Sequence, residues 1–338
     1  MTVLITGLGY IGSQLAADLL ARGESVIAVE NFFSTSRRQL RSVLAQPRLR
    51  LVQGSVTRPE TLESALSDNP VRAIVHLAAQ ASAHPEAASQ AHTEKVNLGG
   101  PRLVFEAAAR HNVPLVLLGS SFWVYGDDLP PVVDETQPYG VAKDLAHLGK
   151  LYLEKLGEMT ALSGGPRCIA ARIGITHGLG PVVKTDPRFM TVPHRFCQLV
   201  AQGRPLTIHP SAIRPAGYVK LTDVTRALVA LLDAPWQEKY RAVNVASEAL
   251  TARQVADVVL SAAARRDLAE AQHPKAGPRN QVGQSIRIRS SLESLGAAPS
   301  ARLEDSVDEL LEYFLHVEQQ SANQRRASLG KWRKAAVG

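Results

Sequence analysis

Short apolar runs recur through the first half of the chain at residues 3–5, 25–29, 49–52, 73–77, 114–118 and 168–173. They are too short for helices and mostly lack polar alternation, so they are expected as strands of a parallel sheet buried on both faces. Between them, stretches such as 12–22, 59–66, 103–111 and 141–162 carry apolar positions three and four apart, the spacing of amphipathic helices. Strands alternating with helices make βαβ units with right-handed crossovers. The expected fold class is therefore α/β, a Rossmann doubly wound parallel sheet.

After about Gly174 the rhythm changes. Residues 176–218 are rich in Gly, Pro, His and Arg, with one helix-like stretch at 193–201, and read as ligand-covering structure rather than core. Helices are expected at 224–232, 251–264 and 303–317 and a strand at 242–245. The resulting division is a dinucleotide-binding domain of residues 1–175, to which 219–247 returns, then a smaller C-terminal substrate-binding lobe from 176–218 and 248–317. A basic, flexible tail is expected at 318–338.

Composition narrows the class. A chain of 338 residues with 45% hydrophobic and 20% charged residues fits an ordered globular protein. Its two cysteines, Cys168 and Cys197, lie far apart without ligand spacing, so neither a disulfide framework nor a metal site is expected. No apolar run reaches the roughly 18 residues needed to span a bilayer, and no secretory leader pattern opens the chain, so a cytoplasmic location without membrane attachment is expected. The net charge of +7 sits in scattered arginines rather than in stripes interleaved with aromatics, which argues against nucleic acid as a partner. It would suit phosphate-bearing ligands.

The chemistry begins after the first strand. Thr6-Gly7-Leu8-Gly9-Tyr10-Ile11-Gly12 opens a helix, and glycines there permit a tight turn and close approach of a pyrophosphate to the N–H groups of the helix start. Glu30, 18 residues beyond Gly12, ends the second strand where a carboxylate can accept from ribose hydroxyls. Because it would repel a 2′-phosphate, NAD is expected as cofactor rather than NADP, with Arg37 and Arg38 as the opposing influence. Further along, Tyr139-Gly140-Val141-Ala142-Lys143 has the spacing that places Tyr and Lys one turn apart on a helix face. A neighbouring ammonium lowers a phenol pKa from about 10 and allows proton exchange with an alcohol. Ser121, in Gly119-Ser120-Ser121-Phe122-Trp123-Val124-Tyr125-Gly126, falls at the carboxyl end of the fifth strand, where open α/β sheets place ligands. Ser121, Tyr139 and Lys143 are the expected catalytic residues.

In order and spacing these pieces resemble an extended short-chain dehydrogenase/reductase of the NAD-dependent epimerase/dehydratase family, which includes UDP-galactose 4-epimerase and other nucleotide-sugar enzymes. The resemblance spans about residues 1–317 and also rests on Val29-Glu30-Asn31, His76-Leu77-Ala78-Ala79, Val96-Asn97-Leu98-Gly99-Gly100, Arg172, the segment 218–224 and the segment 243–251. It implies cofactor contacts from Gly7, Gly9, Tyr10, Ile11, Gly12, Glu30, Asn31, Ser55, Val56, Leu77, Ala78 and Ala79. Asn97 is implied as a further cofactor residue that also steadies the site, and Tyr139 and Lys143 would also meet the nicotinamide end. Ser82, Phe122, Trp123 and Arg214 are the implied substrate residues. Gly54-Ser55 stands where the family has Gly-Asp, and Ile175 where it has Asn. Relatives that eliminate or decarboxylate keep an acid just after the catalytic Ser or Thr; Phe122 and Trp123 stand there. The implied reaction is therefore oxidation and re-reduction of a nucleotide-sugar hydroxyl, 4-epimerisation first. A net NAD(P)-dependent dehydrogenase or ketoreductase of a specialised metabolite is the alternative, and a non-catalytic NAD-binding protein a further one. A homodimer through helices at 101–111 and 144–162 is also implied.

Overall fold

In the strands, neighbouring residues point to opposite faces, so an uninterrupted apolar run needs a core on each side. The computed structural model has this arrangement: Val3 and Ile5 enter one buried cluster with Val26, Ala28, Leu115 and Leu117, whereas Leu4 enters a second with Ile27, Val29, Val116 and Leu118. The structure describes residues 1–338 apart from 69, 83, 85, 209–213, 269–284 and 336–338, and only the backbone of 324–335.

In chain order the elements are β1 (Thr2–Thr6), α1 (Tyr10–Ala21), β2 (Ser25–Glu30), α2 (Arg41–Leu44), β3 (Leu49–Gln53), α3 (Pro59–Leu66), β4 (Ala73–His76), α4 (Gln90–Glu94), α5 (Gly100–Arg110), β5 (Leu115–Ser121) and β6 (Val132–Val133). There follow α6 (Leu145–Leu162), β7 (Arg167–Ile173), β8 (Ile175–His177), α7 (Val192–Ala201), β9 (Ala216–Lys220), α8 (Leu221–Asp233), β10 (Tyr240–Val245), β11 (Glu248–Leu250), α9 (Ala252–Ala264), β12 (Arg287–Ile288) and α10 (Glu304–Ala335). Seven strands form the main sheet in the order β10-β7-β5-β4-β1-β2-β3. Every pairing in it is parallel, with Val3 opposite Val26 on one side of β1 and Ala73 on the other. The strand order reverses between β1 and β4, which opens a crevice at the strands' carboxyl ends.

All six expected strands of the first half are present. So are the expected helices, but one start differs: α6 begins at Leu145, because the Asp144 side chain accepts the His147 N–H at 2.9 Å and caps it there. Residues 139–143 therefore precede the helix instead of forming its first turn. At the other end, the backbone of α10 continues to Ala335, through most of the segment expected as a frayed tail, and residues 336–338 lie outside the described residues. A third buried cluster joins α7, α9 and α10 through Phe196, Leu199, Val255, Val259, Leu310 and Phe314, with Tyr218 of β9 beneath them. Among the described residues no helix is long and apolar enough to cross a membrane.

Candidate active site

A cavity of about 550 Å³ occupies the crevice, within the size range of small-molecule sites. Its floor is the turn between β1 and α1. Gly7 has φ +86°, and a Cβ there would sit 2.9 Å from the Ala78 backbone nitrogen; at Gly12 it would sit 2.0 Å from the Gly7 carbonyl oxygen. Side chains at these points would force the turn apart. Gly9, by contrast, has nothing within 4 Å of its absent Cβ, so open space lies against the backbone at the start of α1. That cradle fits a dinucleotide pyrophosphate, which needs backbone N–H groups at close approach.

Glu30 closes β2 beside this turn. Its carboxylate accepts the Leu8 N–H at 2.8 Å and the Phe32 N–H at 2.6 Å, which fixes it at the cavity wall with lone pairs left for ribose hydroxyls. Arg37 stands close by but is engaged: it donates at 2.7 Å to Gln53, the cross-strand neighbour of Glu30, and lies over the Phe32 ring at 5.1 Å. Tyr10, Ile11, Asn31, Ser55, Val56, Leu77, Ala78 and Ala79 line the same cavity. Asn97 does not; it brackets Gln80 instead, accepting its N–H at 2.8 Å and donating to its carbonyl at 2.9 Å, and so holds the chain after β4 in place. His76 contacts Thr6 Oγ1 at 2.7 Å, and burial pulls its pKa down to about 3, so it stays neutral. With a carboxylate at the ribose end, Arg37 engaged with Gln53 and Arg38 exposed outside the cavity wall, NAD should bind at least about tenfold tighter than NADP, and Glu30→Ala should shrink that ratio; fluorescence titration of both cofactors measures it.

At the end of β5, Ser121 lines the cavity and accepts the Trp123 N–H at 3.2 Å, leaving its own O–H free to donate. The cation beside it is Lys150, whose ammonium donates to the Gly119 carbonyl. Lys150 lies on α6 and lines the cavity; burial lowers its pKa to about 8, with Glu154 opposing the shift. Neither Tyr139 nor Lys143 lines the cavity. Lys143 is exposed and pairs with Asp127. Tyr139 donates to Glu154 at 3.0 Å, with the Lys155 and Arg172 cations 4.9 and 5.3 Å from its ring. Burial first, and the Glu154 carboxylate second, raise its phenol pKa, the reverse of what a proton-exchanging tyrosine needs. The pair was misplaced because its spacing was assigned to a helix that starts only at Leu145.

Glu154 is the hub behind this wall. It is fully buried and accepts from Ser120, Tyr139, Tyr240 and both Nε and Nη2 of Arg172, the last at 2.9 Å. Lys150 and Glu154 stand one turn apart on α6, a signal present in the sequence at 150 and 154 and passed over for the 139–143 pair. One turn before Lys150 stands Ala146, so α6 presents no phenol there. Among the described residues Tyr10 alone brings a phenol to the cavity, and its O–H is donated to the Gly178 carbonyl at 2.5 Å.

The expected substrate residues separate. Ser82 lines the cavity and donates to the Arg188 carbonyl at 2.5 Å. Phe122 does not: it is 3% exposed, packs edge-on to Tyr125 at 5.0 Å and fills the space over Gly217. Trp123 also lies outside the cavity, stacked on His147 at 5.3 Å against the third cluster. Both are packing residues because the turn after β5 folds their rings toward β9 rather than toward the crevice. Arg214 is exposed and pairs with Asp128, away from the cavity. Reasoning from sequence missed Lys150, Lys184 and Thr191 in the cavity wall.

A parallel sheet in this order, with a glycine turn and an acid at adjacent strand ends, defines a Rossmann-type dinucleotide-binding enzyme. Residues 3–246 match the NAD dependent epimerase/dehydratase family, and the chain belongs to that family, whose cofactor is NAD. It is 28% identical over 236 residues to UDP-glucuronic acid decarboxylase 1 of Arabidopsis thaliana, an alignment that covers 68% of this chain and only 51% of that protein. It is 28% identical over 153 residues to UDP-glucose 4-epimerase of Erwinia amylovora, covering 42% and 45% of the two chains. Among solved structures it resembles the Thermotoga maritima UDP-glucose 4-epimerase with UDP-glucose, at TM-score 0.78 and 22% identity over 94% of this chain and 99% of that one. The Thermus thermophilus UDP-glucose 4-epimerase complex with NAD superimposes at TM-score 0.76 and 24% identity over 93% and 99% of the chains.

Proposed function

We propose that this protein is an NAD-dependent nucleotide-sugar enzyme of the epimerase type, oxidising and re-reducing a substrate hydroxyl, with Lys150 in the proton-carrying place first assigned to Tyr139. The observation that carries this reading is the convergence of Ser121 and Lys150 at the end of β5, in the same cavity as the glycine turn and Glu30. NAD, when bound, supplies the hydride acceptor and donor. Ser121 donates to the substrate oxygen and orients it. The neutral amine of Lys150 accepts the hydroxyl proton during oxidation and returns it on re-reduction, so no net proton or electron is gained. Pairing of two copies through α5 and α6 is supported by Leu148, Met159 and Leu162, which α6 leaves exposed.

One observation favours a second reading, NAD binding without turnover: among the described residues no phenol stands one turn from Lys150 on α6, where Ala146 lies. Incubating purified protein with UDP-hexoses, and following both sugar products by mass-resolved chromatography or NMR and nicotinamide absorbance, separates the cases. An epimer without accumulated reduced cofactor supports the proposal. Accumulated reduced cofactor means a net dehydrogenase, and bound NAD with unchanged sugar means a binding protein.

A further inference from the structure

Among the described residues of the cavity wall, one cation has only an aromatic ring, and no carboxylate or carbonyl, as its partner. Lys184 lies between β8 and α7, and its ammonium is 5.5 Å from the centroid of the ring of Tyr10, the first residue of α1. The other cations of the wall are engaged, Lys150 with the Gly119 carbonyl and Arg188 with Asp186 at 2.6 Å. Among the described residues the Lys184 ammonium makes no hydrogen bond or ion pair.

Its surroundings make that position unfavourable by itself. The first turn of α1 contains no acidic residue, and the positive end of its dipole and unpaired N–H groups face the same space. From α7, His194 meets the Tyr10 ring edge-on at 5.3 Å; burial and then Lys184 push its pKa down to about 3, so it adds no negative charge. From α10, Glu309 reaches toward Lys220, 3.9 Å away. Burial draws the pKa of Lys184 itself down to about 8. The lysine is nonetheless held in place. Tyr10 donates to Gly178, His194 contacts the same carbonyl at 3.2 Å, and Thr191 donates to Thr176 at 3.1 Å, fixing one end of its segment to α1 and the other to β8. A cation and a helix N-terminus bordering one cavity, in whose described wall Glu30 is the one carboxylate and is already bonded to the Leu8 and Phe32 N–H groups, are complementary to an anion.

We infer that Lys184 clamps the diphosphate bridge of a bound nucleotide against the N-terminus of α1, from the substrate-lobe side of the cavity. This rests on the reading that the cavity holds NAD and a nucleotide sugar, both of which carry such a bridge. An arginine would retain the charge, whereas a methionine would keep the apolar stem and lose the donor.

Isothermal titration of the full chain and its Lys184→Met and Lys184→Arg variants with NAD, UDP and adenosine tests the inference. Lys184→Met should weaken NAD by about tenfold or more, the scale of a charge-assisted hydrogen bond, while Lys184→Arg stays within about threefold. Adenosine, which has no phosphate, should bind all three proteins alike, and the ligand-free melting temperature of Lys184→Met should equal or exceed that of the unaltered chain. A loss that includes NAD supports the clamp at α1, whereas one confined to UDP places Lys184 on a sugar nucleotide away from that helix and overturns it. Unchanged affinity for both overturns the inference, as does a loss that extends to adenosine together with a lowered melting temperature. If the unaltered chain binds neither NAD nor UDP, the underlying reading fails instead.

Discussion

Lys150→Met should lower turnover by about 10²–10⁴-fold, the usual contribution of a positioned acid/base, whereas Tyr139→Phe should retain activity to within about threefold. The two side chains differ in where they sit: Lys150 lines the cavity beside Ser121, while Tyr139 lies behind the wall with its O–H committed to Glu154. A base with pKa about 8 acts in its neutral form, so kcat/KM should rise as pH increases through about 8, and that limb should vanish in Lys150→Met. Steady-state kinetics of both variants over about pH 6–10, either side of the lysine's titration at about 8, settles the assignment. Near-complete loss in Tyr139→Phe with activity retained in Lys150→Met would reverse it.

The largest effect on stability is expected at Arg172. Its guanidinium and the Glu154 carboxylate form an ion pair at 2.9 Å with side chains 5% and 0% exposed. Burial works to lower the pKa of Arg172, but Glu154 and Tyr125 outweigh it and hold it raised; Arg172 also donates to Tyr125 at 2.8 Å, and Tyr125 in turn donates to Asn244 of β10 at 2.6 Å. Removing one member of a buried pair leaves the other without compensation, so Arg172→Met should cost about 3–5 kcal/mol in denaturant unfolding. The double variant Arg172→Met with Glu154→Leu should recover part of that loss, because no buried charge remains. A double variant no more stable than Arg172→Met would mean that the hydrogen bonds to Ser120, Tyr139 and Tyr240, rather than charge, dominate the hub.

The sheet was legible in the sequence because strands covered on both faces leave unbroken apolar runs, and the dinucleotide end was legible because its contacts come from backbone and glycine at fixed positions after β1 and β2. The catalytic end was legible only at Ser121, which ends the fifth strand at the cavity. Tyr139 and Lys143 have the right spacing, but spacing means one turn only inside a helix, and the Asp144 cap starts α6 beyond them. Phe122 and Trp123 were ambiguous because a turn of four residues after β5 decides which way their rings fall. Lys184 could not be placed at all. Its neighbour Tyr10 is 174 positions away in the chain, and only the tertiary fold brings them together.

The cavity wall draws on the ends of β1, β2, β5 and β7 and on the segment carrying Lys184 to Thr191, so an occupant touches parts of the protein that otherwise meet mainly through separate apolar clusters. Thermodynamic linkage then makes the cofactor part of the cohesion of the molecule: a ligand at 100 times its Kd adds about 2.7 kcal/mol to the folded state. The melting curve thereby becomes an occupancy gauge. Protein freed of nucleotide should melt lower and more broadly, and restored NAD should raise the transition in proportion to the logarithm of its concentration.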